Sequence, residues 1–129
     1  MPRILTADPA LPYARPPLSK DYLRGETEDV ALHPAQWYDD RSIELVGDLC
    51  VDRIDGQART VIAGNTRFEY RAVVLACGAT PAALAVSGGE SALQLRSLTD
   101  AQRLRQAAID AGAAVVIGAS FIGCEAATS

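Results

Sequence analysis

The stretch "AAVVIGASFIGCEAATS", residues 113–129, constrains this chain more than any other. An apolar run reaches Gly118, and Ser120 and Gly123 follow at the second and third positions of a G-x-G-x-x-G pattern. Such a turn joins a strand to a helix. The first glycine allows the tight bend, the middle position lets backbone approach a pyrophosphate, and the third lets the helix pack on the strand. Ser120 adds a Cβ at the middle position, with a hydroxyl able to donate to a phosphate oxygen. Free N–H groups at the helix start would supply the rest of an anion site. A plain strand-to-helix turn that needs glycine for close packing is the alternative at this point.

The rest of the chain supplies context. Residues 1–16 are Pro-rich and predict irregular structure. "PLSKDYLRG" predicts a short helix opened by Pro16 and Pro17 and closed by Gly25, and "PAQWYDD" a second one. "SIELVG", "LCVDRI", "RTVIA" and "TRFEYR", with turns at Asp55-Gly56 and Gly64-Asn65, predict a small antiparallel meander. The continuous apolar runs at 72–79 and 113–118 predict strands covered on both faces, as in a parallel sheet. A helix is expected from an N-cap at Thr99, with Ala101, Leu104, Ala108 and Ile109 on one face and Gly112 at its end.

Composition narrows the function classes. Twelve Lys and Arg against 16 Asp and Glu leave a net charge of −4, which gives no reason to expect nucleic acid or an anionic membrane. No apolar run approaches the roughly 20 residues of a spanning helix, and no secretory signal opens the chain. Cys50, Cys77 and Cys124 form no C-x-x-C or zinc spacing, so they read as small apolar core residues in a reducing, cytoplasmic compartment. His33 is the only histidine, and no metal site is expected. In "ARPPLSKDYL", Arg15 and Lys20 flank two prolines that stiffen their presentation. Those two cations read either as a cofactor contact or as ordinary solvated surface.

In order, "YARPPLSKDYL", "IELVGDLCVDRID" with "RTV", "FEYRAVVLACGATP", "LRSLTDAQRLR" and "VVIGASFIGCEAA" resemble the FAD-dependent pyridine nucleotide oxidoreductases of the ferredoxin reductase type. The resemblance implies an α/β fold: a partial FAD/NAD(P)-binding Rossmann-like fold with a small antiparallel meander, incomplete at both ends. It implies the middle of an FAD-binding domain over residues 1–96 and the start of an NAD(P)H-binding domain over 97–129. By the same resemblance Arg15 and Lys20 contact FAD, Val51 offers the adenine a backbone contact, and Ala76, Gly78 and Ala79 pass beside the cofactor. Gly118, Ser120, Phe121, Ile122 and Gly123 belong to the NAD(P)H turn. Glu125, expected in the first helical turn, approaches Lys20 at the flavin edge, and the pair is the candidate catalytic couple.

Three residues depart from the family pattern. Cys77 stands for a usual Thr, Ala82 for an Arg that often contacts the cofactor, and Ser120 for the middle glycine. Lys20 stands where peroxide-reducing relatives carry a redox cysteine, and lysine cannot form a sulfenic acid. The implied activity is therefore hydride transfer from NAD(P)H to FAD, then electron transfer to a ferredoxin-like or Rieske-type iron–sulfur partner. The alternative is a truncated non-catalytic nucleotide-binding module or inactive gene product.

Overall fold

The computed structural model describes residues 1–129. The chain forms two compact units, one of residues 1–12 and 31–78, the other of residues 13–30 and 79–129.

The first unit opens with a strand, β1 (Arg3–Leu5), where sequence predicts irregular chain. It pairs in parallel with β2 (Glu44–Val46), with Ile4 opposite Leu45. The "SIELVG" segment therefore leaves the expected meander and joins β1. Bonds from Thr6 N to Val46 O (3.0 Å) and from Leu49 N to Thr6 O (2.9 Å) extend the ladder. Between them lies α1 (Ala35–Asp40), entered from extended Pro34, with Tyr38 buried. The His33 imidazole stacks on the Trp37 ring at 3.9 Å and 9°, and the Arg41 guanidinium sits 4.1 Å from the same ring's centroid.

The meander is three-stranded: β3 (Arg53–Asp55), β4 (Thr60–Ala63) and β5 (Thr66–Glu69), all antiparallel. Ile54, Val61 and Phe68 form one cross-strand row, so their side chains share a face. At the first turn the Asp55 carboxylate accepts N–H bonds from Gln57 and Ala58, which makes a four-residue loop of 56–59. Gly64, at φ +56°, makes the two-residue second turn. Its N–H donates to Asp52 at 2.6 Å.

The apolar runs do not become strands. Residues 72–79 and 113–118 adopt no regular structure and pair with no strand of this chain, and Val74 and Val115 are 88% and 89% exposed. A parallel strand exists only where neighbours take its N–H and C=O groups. Apolar pattern alone does not say where those neighbours lie. Cys50, Cys77 and Cys124 are exposed as well, so the expected core role is corrected: none lies in a packed interior.

In the second unit the expected helix after Arg15 is a 3-10 turn, Pro16–Ser19, with prolines in its first two positions. Hydrogen-bonded turns carry the chain on to Gly25, at φ +76°. Leu18, Tyr22 and Val30 bury around Ala101, which is wholly inaccessible, and Tyr13, Leu95 and Leu98 pack on them. Ala101 belongs to α2 (Leu98–Ala108). This helix starts from Ser97 rather than Thr99, because a capping box forms there. Ser97 Oγ accepts from Asp100 N at 3.1 Å, and Asp100 Oδ2 accepts from Ser97 N at 2.8 Å. The helix ends at Ala108, before Gly112, whose backbone is not left-handed. The last helix is α3 (Phe121–Thr128), with Ser120 in the position before it.

Candidate functional site

The Gly-rich turn feeds α3. Gly118 sits at φ +112°, which L side chains rarely adopt. A Cβ on Gly123 would lie 2.0 Å from Gly118 O, so the third glycine is required by contact and the first by conformation. Ser120 is extended (φ −73°, ψ 171°) and its hydroxyl makes no capping bond, which leaves the side chain available. The first N–H groups of α3 have no intrahelical acceptor. Phe121 is 89% exposed beside them.

Glu125 lies past the first turn of α3, not in it as expected, so the helix dipole is not its main partner. Its partners come from the 3-10 turn. Ser19 Oγ donates to Glu125 Oε2 at 2.5 Å, and Lys20 Nζ pairs with the same oxygen at 2.9 Å. The Ser19 hydroxyl and then the Lys20 ammonium hold the Glu125 carboxyl below the usual glutamate range, against partial desolvation. Ser129 Oγ also donates to Ser19 O at 3.0 Å, a second tie between α3 and the turn.

Around this pair runs a groove of about 300 Å³, with Arg15, Lys20, Arg96, Phe121, Ile122 and Glu125 among its walls. Arg15 Nη1 donates to Arg96 O at 2.6 Å, and Arg96 Nε donates to Ala79 O at 3.1 Å. Arg96 N donates to Asp100 at 3.1 Å, which ties the groove wall to the α2 cap. Burial raises the Asp100 carboxyl, but its bonds from Ser97 and Arg96 outweigh that and leave it below the usual aspartate range.

The structure thus brings Arg15, Lys20, Phe121, Ile122 and Glu125 to one groove, while Gly118, Ser120 and Gly123 belong to the turn and first residues of α3. Val51, Ala76 and Gly78 lie exposed in the other unit, with Gly78 at φ +68°. Sequence reasoning missed Ser19 and Arg96. Both sit in quoted motifs, beside Lys20 and before Ser97, but nothing in the sequence couples Ser19 to a residue 106 positions away. No group of three His, Cys, Asp or Glu side chains converges as a metal site, and no helix is long and apolar enough to cross a membrane.

The profile of the pyridine nucleotide-disulphide oxidoreductase family matches residues 3–129. Rhodocoxin reductase of Rhodococcus erythropolis is 40% identical over 95% of this chain and 30% of its own length. The crystal structure of the ferredoxin reductase for the CYP199A2 system from Rhodopseudomonas palustris superposes with a TM-score of 0.91. It is 37% identical, over 98% of this chain and 32% of that one. The reductase in the covalent putidaredoxin reductase–putidaredoxin complex gives 0.88 at 32% identity, over 97% of this chain and 32% of that one. The chain therefore has the mixed α/β fold of these reductases over about a third of their length. With a profile match across nearly every residue and this fold, the chain belongs to the pyridine nucleotide-disulphide oxidoreductase family.

Proposed function

We propose that these residues serve a flavoprotein reductase that takes reducing equivalents from NAD(P)H and delivers them to a small iron–sulfur protein. The observation that carries the reading is the Lys20–Glu125 pair, 2.9 Å apart across a groove between the proline-stiffened turn and the Gly-rich helix. The names of the relatives, reductases of rhodocoxin, ferredoxin and putidaredoxin, support a ferredoxin-like or Rieske-type acceptor. When bound, FAD would take a hydride from NAD(P)H and release electrons singly.

The residues present fit both cofactors. At the Gly-rich turn, a side chain is disfavoured by conformation at Gly118 and by contact at Gly123, while the first N–H groups of α3 and the uncommitted Ser120 hydroxyl would suit a pyrophosphate of NAD(P)H. Phe121 and Ile122 offer apolar surface beside it. The groove carries Arg15, Lys20 and Arg96 against one carboxylate, a cationic wall suited to an electron-rich ring and its phosphates. In this reading Arg15 and Lys20 hold FAD, with the Ala79 backbone held at the same wall through Arg96. Domain assignment follows: residues 1–96 serve FAD, and 97–129 begin the NAD(P)H portion. Three unpaired cysteines suit a cytoplasmic setting.

Lys20 supplies a positive charge paired with Glu125, so the pair would orient the flavin edge. The test is Lys20→Ala in the complete reductase, with the rate of flavin reduction by NAD(P)H followed by absorbance. A slowed rate is expected. An unchanged rate removes Lys20 from the chemistry.

A further inference from the structure

Ser19 is among the most buried polar residues of the chain, at 4% exposure, and its hydroxyl is committed to one acceptor, Glu125 Oε2. Lys20 shares that oxygen from a far more open position, with its side chain 43% exposed. We propose that Ser19 is the positioning residue for Glu125, its hydroxyl fixing where the carboxylate sits in the groove while Lys20 acts as the screened second partner. The proposal rests on the reading of Lys20 and Glu125 as a functional pair.

Three features give Ser19 the larger share. The first is rigidity. Serine has one side-chain rotor, whereas a lysine ammonium sits on a four-carbon stem and loses much more freedom when held. The Ser19 backbone is itself fixed: Pro16 and Pro17 restrict the turn, Leu18 N donates to Arg15 O at 3.0 Å, and Lys20 N donates to Pro17 O at 2.9 Å. The second is the number of acceptors. The Ser19 hydroxyl has one proton and gives it to Glu125, whereas Lys20 Nζ, with three, also reaches Pro16 O at 3.4 Å, so its position is not set by the carboxylate alone. The third is screening. An exposed ion pair weakens with salt, but a neutral hydroxyl donating from a buried position does not. The Ser129 hydroxyl on Ser19 O adds a return contact from α3, so the turn and the helix are tied at two points of one residue. Arg15 and Arg96 face the same groove, and Cys124 adjoins Glu125 on α3.

The test is a carboxyl titration by NMR of the full chain carrying carbon-13-labelled glutamate. Wild type, Ser19→Ala, Ser19→Thr and Lys20→Met are compared at low salt and at about 0.5 M salt, where the Debye length falls to a few ångströms. The expected result is a larger upward shift of the Glu125 midpoint in Ser19→Ala than in Lys20→Met, with Ser19→Thr restored toward wild type. The wild-type midpoint should stay depressed in salt. A Ser19→Ala midpoint equal to wild type overturns the proposal. So does a wild-type midpoint that returns to the ordinary glutamate range in high salt, and that arm decides the matter alone if Ser19→Ala does not fold. Flavin reduction by Lys20→Ala is a separate measurement. An unchanged rate there, with the titration as expected, removes the flavin reading and leaves the role of Ser19 standing.

Discussion

Replacing Gly123 with alanine tests how tightly the nucleotide turn governs the site. The new Cβ would fall 2.0 Å from Gly118 O and 3.1 Å from Gly118 C. Real Cβ atoms essentially never approach closer than 3.0 Å, so the gap must open by about 1 Å or more. Both colliding groups are backbone, and no rotamer change relieves them. The start of α3 must therefore move away from the turn. Overpacking of this kind costs about 1–3 kcal/mol. With a urea slope near 2 kcal/mol/M, the midpoint of helical circular dichroism should fall by about 0.5–1.5 M. The shift also pulls Glu125 from Ser19, whose 2.5 Å bond has no slack, so the Glu125 carboxyl should titrate nearer the ordinary range. Gly112→Ala is the control. Nothing lies within 4 Å of its Cβ and its backbone is not left-handed, so it should be neutral or stabilise by about 0.4–1 kcal/mol. Equal urea midpoints for the two variants would refute the reasoning.

Two further outcomes follow from the same contacts. Ser97→Ala removes the acceptor for Asp100 N and should cost about 1 kcal/mol, read as lost hydrogen-exchange protection in the first turn of α2; unchanged protection would show that the capping box is idle. Asp100 and Glu125 both have depressed carboxyls, so the stability they contribute is complete above their ordinary values of about 3.9 and 4.3 and is lost as pH falls through the lower folded-state values. Glu125→Gln should flatten the acid limb of a stability-versus-pH curve, and an unaltered limb would sink the assignment.

How far the fold was legible depends on the distance over which each signal acts. Local signals read well: Gly64-Asn65 turned the chain where expected, and Gly118 and Gly123 marked a strained, close-packed bend. The cap of α2 lies two residues before Thr99, the position its hydroxyl alone suggests. Ser97 with Asp100 three positions on is the stronger pattern, since each side chain answers the other's backbone. Non-local pairing was invisible. Arg3–Leu5 becomes a strand only because Glu44–Val46 lies beside it, and no period in a three-residue segment announces that partner. The runs at 72–79 and 113–118 carry the apolar signature of sheet interior, yet a signature does not supply hydrogen-bonding neighbours. Cys77 is exposed because it lies in the first of these runs. At the site, resemblance implies Lys20 and Glu125, whereas only the folded chain brings Ser19 to Glu125, because a serine beside a lysine has no distinguishing spacing.

The single tryptophan of the chain, Trp37, is held between His33 and Arg41 in the first unit, while α2 and α3, the two longest helices, belong to the second. Selectively excited tryptophan fluorescence thus reports on the first unit, and helical ellipticity mainly on the second, with a smaller share from α1. Melting curves from the two signals should superimpose if the halves unfold as one cooperative system and separate if each has its own transition.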